Sequence, residues 1–140
     1  MSIYNNIRAA LESHLANTAD LPDIAYENVT FEPTTGTSFL KVVFVPVSRR
    51  ASVRGTNPQQ RYEGIFRVFC YTPEGSGPAA ADDLANKIMQ AFDATTDISF
   101  TPSGGDEIIV SVDYAERDNG FVDSPWYYVS VNIGWYIYAQ

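Results

Sequence analysis

Few side chains in this sequence have the types and spacing that catalysis or metal binding needs. His14 is the single histidine. Its spacing from Ile7 and Ala10 puts it on the apolar side of a helix, where a structural role is expected. Cys70 is the single cysteine and lies in an apolar strand pattern, which indicates a buried, unreactive thiol. One histidine and one cysteine cannot form the usual zinc sites. We therefore expect no enzyme and no cofactor.

The carboxylates are numerous, but their spacing matches no known cation-binding loop. Four of them gather near one turn: Asp113, Glu116, Asp118 and Asp123. This spacing departs from the EF-hand pattern, and residues 118–120 read Asp-Asn-Gly, a common turn sequence. We interpret the group as a solvated acidic loop. The sequence also lacks a P-loop, a GxGxxG fingerprint and a GxSxG elbow.

The elements that would carry these residues are two helices and six strands in one domain, residues 1–140. Apolar residues recur at helical spacing over 2–17 and 78–93. The expected strands are 25–31, 38–48, 61–72, 98–101, 107–114 and 126–138. We predict an α+β fold of order α-β-β-β-α-β-β-β. Its mixed or antiparallel sheet should carry both helices on one face and extend into a long β-hairpin arm.

The last predicted strand, residues 126–138, alternates strictly. Its odd-numbered residues from Tyr127 to Ile137 are almost all apolar and should pack against the helices. The even-numbered residues include Tyr128, Tyr136 and Tyr138, which should lie on the other face. With nine Tyr, eight Phe and two Trp in the chain, aromatic side chains suit both cross-strand pairs and surfaces that become half-buried on assembly.

Charge is unevenly distributed along the chain. Residues 33–62 contain no acidic residue and five basic ones, whereas the net charge of the whole chain is −8. The polar stretch 49–60, which separates two predicted strands, is much longer than a tight hairpin turn. It is either a solvated loop or a docking element for a neighbouring subunit. It lacks the interleaved aromatics typical of single-strand nucleic-acid binding.

Taken together, the elements resemble a family of small phage tail proteins. The resemblance rests on the opening Met1–Arg8 that leads into a helix, the paired strands Phe39–Val47 and Tyr62–Tyr71 around a polar arm, the helix Pro78–Phe92, and the closing Trp135-Tyr136-Ile137-Tyr138. This arrangement is similar to the tail terminator family of long-tailed siphophages and covers nearly the whole chain.

The resemblance implies a structural virion protein without enzymatic activity or cofactor. Tail terminators form a hexameric ring that caps the tail tube, ends its polymerisation and offers a surface to the head. The implied partners are other copies of the chain, the tail tube protein and the head–tail connector, with DNA passing through the lumen unbound. The family has no catalytic residues to carry over, so we predict only subunit-interface residues: Arg49, Arg50, Arg54, Asn57, Gln59, Arg61, Tyr136 and Tyr138.

Other functions remain open at this stage. A tail tube subunit or a head–tail joining protein would share the ring architecture, and a small ligand-binding module would use the aromatic sheet face. We expect the protein at the head-proximal end of the virion tail and, during assembly, in the host cytoplasm. The N-terminus shows no secretory signal, and no apolar run is long enough to span a membrane.

Overall fold

The described residues form two helices and seven strands, in the order α-β-β-β-α-β-β-β-β. The computed structural model describes residues 2–52, 55 and 59–139. The elements are α1 (Ile3–Ala16), β1 (Ile24–Ala25), β2 (Phe39–Ala51), β3 (Gln60–Pro73), α2 (Ala79–Ala91), β4 (Asp97–Phe100), β5 (Ile108–Arg117), β6 (Phe121–Asp123) and β7 (Trp126–Ala139). No helix in these described ranges is long and apolar enough to cross a membrane.

All seven strands join in one mixed sheet of order β1-β2-β3-β7-β5-β4. β1 pairs with β2 in parallel, and the other neighbours are antiparallel. β6 continues the line of β5 and pairs with the first residues of β7. Two strands, β3 and β7, thus separate β2 from β5, and β2 and β5 lie near opposite edges of the sheet.

The hydrophobic core lies between one face of the sheet and both helices. The residues that α1 and α2 bury recur at helical spacing, as the sequence pattern predicted. In β7 the apolar side chains Val129, Val131, Ile133, Trp135 and Ile137 are all buried. The α+β class with both helices on one face is confirmed. We call the other side of the sheet the open face.

The predicted strand 25–31 is wrong in extent. Only Ile24 and Ala25 pair with β2, and the chain then turns. Asn28 has a φ of 55°, in the left-handed region that ends an extended strand. The segment leaves the sheet there, so most of the β2 edge lacks a neighbouring strand in the described residues.

Three further boundaries differ from the prediction. The hairpin strands continue through residues 49–51 and start again at Gln60, so part of the expected loop is strand. β5 runs on to Arg117, three residues beyond its predicted end. A seventh strand, β6, follows residues 118–120, which form no turn, so the turn predicted there is wrong; the chain turns after β6, at Ser124 and Pro125. These additions lengthen predicted elements and leave the order of the rest unchanged.

Candidate assembly surfaces

We call residues 48–63 the arm; the structure describes 48–52, 55 and 59–63 of it, which include the end of the β2–β3 hairpin. On its open-face side a cluster of charged and aromatic groups surrounds one carboxylate. Glu63 accepts hydrogen bonds from Ser48 Oγ at 2.8 Å and Arg50 at 2.8 Å, and forms a 3.2 Å ion pair with Arg61. Two arginines share one acid, so the cluster keeps a net positive charge.

Arg61 links the arm to the end of β7. Its guanidinium donates to Tyr138 Oη at 2.9 Å and lies 4.4 Å from the centre of the Tyr136 ring. The hydrogen bond to Tyr138 is the main reason that the pKa of Arg61 is raised above its ordinary value. A planar guanidinium held over an aromatic ring is pre-organised for a partner's carboxylate.

Glu63 was not among the predicted site residues. Its pKa is held below the ordinary value, first by the Ser48 hydrogen bond and then by Arg61 and Arg50. A β-bulge between Pro46 and Ser48 shifts the register and sets Ser48 opposite Glu63. Sequence spacing alone does not reveal such a shift, so the pairing of Ser48 with Glu63 could not be predicted from the sequence.

Arg49 lies on the opposite side of the arm. It donates to Gln60 Oε1 at 2.9 Å and its guanidinium lies 5.7 Å from the Tyr62 ring centre. Gln59 closes the described part of the hairpin, because its carbonyl accepts from Ser52 N and Oγ. The structure therefore brings Arg50, Arg61, Tyr136 and Tyr138 together and separates Arg49 from them by the thickness of the sheet. The predicted interface residues Arg54 and Asn57 lie outside the described residues.

At the far end of the open face, aromatic rings form a continuous patch. We define the aromatic patch as Phe31, Phe39, Phe69, Tyr71, Phe121 and Tyr128. Phe39 stacks on Tyr71 with ring centres 4.7 Å apart, and Tyr128 contacts both Tyr71 at 5.0 Å and Phe121 at 5.8 Å. Phe121 is 54% exposed. Exposed aromatic area of this kind is typical of protein–protein contact surfaces.

A polar network divides the arm cluster from the aromatic patch. Asp118 accepts from Ser130 Oγ at 2.8 Å and from Asn132 Nδ2 at 3.1 Å, and Arg67 donates to Asn132 Oδ1 at 2.8 Å. The hydrogen bonds from Ser130 and Asn132 hold the pKa of Asp118 below its ordinary value. Asp118 is thus engaged within the sheet. Among the described residues, no group of three or more His, Cys, Asp or Glu side chains could hold a metal ion.

The histidine and the cysteine, which could have carried base or nucleophilic chemistry, are half-buried and fully buried, respectively. His14 Nε2 donates to the Ala91 carbonyl at 2.7 Å, and its ring packs edge-on to Phe92. It thereby joins α1 to the end of α2. Cys70 is fully buried, and burial raises the pKa of its thiol to about 12. A thiol with such a pKa is protonated at neutral pH and is a poor nucleophile.

A family model for the phage tail terminator protein matches residues 6–135 of this chain. The chain belongs to the phage tail terminator family. Its tail terminator identity makes it a structural protein of the phage tail, which acts through contacts with other tail and head proteins. The predicted family is therefore confirmed.

Solved structures support the fold of this tail terminator. Twenty chains of known structure match it. One of them has a TM-score of 0.71 and 24% sequence identity, and the match covers 98% of this chain and 96% of that one. The likeness shows that the two chains share a fold. No curated protein matches the sequence.

Proposed function

We propose that this tail terminator assembles into a homo-oligomeric ring, a hexamer, that caps the tail tube, stops its polymerisation and presents the surface to which the head attaches. The observation that carries the proposal is the presence of unlike surfaces on one subunit. A cyclic ring requires a heterologous interface, in which two different patches of one subunit meet their counterparts on its neighbours.

The basic arm and the acidic remainder of the chain supply such unlike patches. Arg50 and Arg61 lie at the surface of the arm, with one acid between them. The chain as a whole carries a net charge of −8, so an arm that projects from one subunit meets mostly negative surface on the next. Opposite charges of this kind orient subunits and set their register.

Stacking on the tail tube needs a surface other than the one used within the ring. The aromatic patch fits this role, because it lies on the open face at the end opposite the arm. Its Tyr and Phe rings combine apolar area with few rotatable bonds, as is typical of the centre of protein interfaces. We therefore assign ring formation to the arm and tube contact to the aromatic patch.

The acidic character of the chain also fits a ring through which DNA passes. A lumen of like charge does not retain DNA, because binding to phosphates requires Lys and Arg. The purified protein should therefore bind duplex DNA weakly even at low salt. Tight binding that weakens steeply as salt is added would contradict this part of the proposal.

Growth of tail tubes in the presence of the protein tests the capping function. Tail tube protein is polymerised from a fixed stock while the concentration of this protein is increased, and tube lengths are measured by electron microscopy. We expect shorter tubes, each with added density at one end. Unchanged tube lengths would overturn the proposal, and long tubes formed by this protein alone would identify it as a tube subunit instead.

A further inference from the structure

At each of its two edges, the sheet has a short stretch of strand whose outward backbone groups pair with no other strand in the described residues. A second copy of the chain could pair with such a stretch. Along β2, the outward edge is largely closed from Leu40 to Pro46. Leu40 N donates to the Asp23 carbonyl at 2.8 Å, Phe44 N donates to the Glu27 carboxylate, and Pro46 has no N–H to offer. Carboxylates and prolines at such positions keep sheet edges from pairing with other chains.

Beyond the bulge the same edge is open. Ser52 N donates to the Gln59 carbonyl across the hairpin. Backbone N–H and C=O groups point alternately to the two sides of a strand. Those of Arg50, like those of Ser52, therefore point towards β3, whereas those of Arg49 and Ala51 point away from it. In the described part of the chain no strand pairs with this side of residues 49–51.

A second open stretch lies across the sheet, on β5. β4 covers β5 from Ile108 to Ser111, and Thr96 closes the edge at Val112. Asp118 N donates to the Ser130 carbonyl of β7. By alternation, Ala115 and Arg117 then direct their backbone groups away from β7, and no strand among the described residues pairs with them there.

A groove runs beside this β5 edge, between the edge and the end of α2. It has a volume of about 580 Å³ and is lined by Met89, Gln90, Asp93, Ala94, Tyr114, Ala115 and Glu116. Its charged lining residues are the two carboxylates Asp93 and Glu116, both exposed. By sequence, residues 93–118 contain seven acids and one arginine, whereas the arm contains four arginines and one glutamate.

We propose that the arm of one copy docks in the α2–β5 groove of the next copy and adds its 49–51 edge to the open 115–117 edge of β5. The occupant is a second copy of this chain because the arm offers what the groove lacks, a positively charged strand with unpaired backbone groups. Strand addition supplies main-chain hydrogen bonds, and the arginine–carboxylate pairs select the partner and register. The inference rests on the proposed ring and names the surfaces that join it.

A charge swap between the arm and the groove tests this docking. Arg50→Glu should weaken subunit association on tail tubes by ~10-fold or more, because it places an acid against Glu116, which lies on the open face as Arg50 does. Glu116→Arg should do the same, and the double variant Arg50→Glu/Glu116→Arg should restore association towards the wild-type level. Lys87→Glu and Glu107→Arg make the same changes in net charge at exposed positions outside the arm, the groove lining and the aromatic patch, and should assemble like the wild type.

Cross-linking between copies gives a second, independent readout. Ser52→Cys protein is mixed with Gln90→Cys protein. A short bismaleimide that links position 52 to position 90 then joins two different copies, because neither protein carries both cysteines. We expect a mixed dimer, and none when Glu32→Cys replaces Gln90→Cys. Cys70 does not interfere, because its thiol is buried.

The outcomes separate this inference from the proposed function. If the Arg50→Glu and Glu116→Arg variants form rings in the same yield as the wild type, the proposed docking is wrong, but the proposed ring still stands. A double variant that stays as weak as the single variants, with no mixed dimer, would also overturn it. A wild-type protein that forms no ring, alone or on tubes, would overturn both.

Discussion

Several residues of types that are often catalytic have structural roles in this protein. His14 joins two helix ends through the Ala91 carbonyl, and Cys70 lies in the core with its thiol protonated. Glu63 collects the Ser48 hydroxyl and two guanidinium groups. Each of these side chains is fully engaged by the fold, which accords with a structural tail protein.

The environment of Cys70 leads to a test of its reactivity. We expect the native protein to resist alkylation by iodoacetamide at pH 8, because the thiol is buried and its pKa is about 12. The same thiol should react in full once urea unfolds the chain. Mass spectrometry of both samples measures this, and rapid alkylation of the native protein would contradict the structure.

The pKa of Glu63 leads to a prediction about the stability of the arm as a function of pH. A carboxyl whose folded pKa lies below its ordinary value of 4.5 contributes stability above that value and loses it as pH falls through the folded pKa. Acidification from pH 6 to pH 3 should therefore reduce the amide-exchange protection of Ser52 N more in the wild type than in Glu63→Gln.

The matched control for this measurement is Glu32→Gln, which removes an exposed carboxyl outside the arm. It should follow the wild-type profile over the same pH range. Parallel pH profiles for the wild type and Glu63→Gln would show that the carboxylate does not hold the arm together.

At the scale of elements, the two helices are held to each other as well as to the sheet. The His14 ring packs against Phe92 with ring centres 4.8 Å apart, and Phe92 in turn contacts Phe66 of β3. Phe92 is fully buried. The contact joins α1, the end of α2 and the centre of the sheet at one point.

Removal of the His14 side chain should therefore lower stability without affecting assembly. We expect His14→Ala to reduce the free energy of unfolding by about 1–2 kcal/mol, because a partly buried carbonyl loses its donor. Ser13→Ala, at an exposed position beside it, should change stability by less than about 0.5 kcal/mol. Urea unfolding compares the two, and equal stabilities would contradict the role given to His14.

The helices and the long strands could be predicted from sequence because local periodicity determines them. The α1 stripe through Ile7 and Leu11 and the alternation of β7 depend only on which side of an element is buried. The short β1 could not be bounded in this way, because the left-handed turn at Asn28 ends it and that residue lies within an ordinary strand pattern.

The candidate surfaces were only partly predictable, because they depend on contacts between distant parts of the chain. The arginines of the arm stand out in sequence as a basic stretch. Their convergence with Tyr136 and Tyr138 needs the register of β3 against β7, and the bulge after Pro46 decides which of Arg49 and Arg50 lies on the open face. The groove between α2 and β5 joins two segments that lie twenty or more positions apart, so no local pattern indicates it.

At the scale of the whole molecule, the sheet separates surfaces of different character. The basic arm extends from one edge, the acidic groove lies along the opposite edge, and the aromatic patch occupies the far end of the open face. A subunit of this design can meet two neighbours edge to edge and still present a third surface to the tube. The fold thus places the basic and the acidic segments of the sequence at opposite edges of the sheet.

The number of copies at the end of a tail tube tests the ring most directly. Tubes capped with this protein are imaged by electron microscopy, and the end density is averaged along the tube axis. We predict a single closed ring of six copies at one end, with the arm of each copy reaching the next. End density without rotational symmetry, or further rings of this protein stacked beyond the first, would contradict the proposed capping ring.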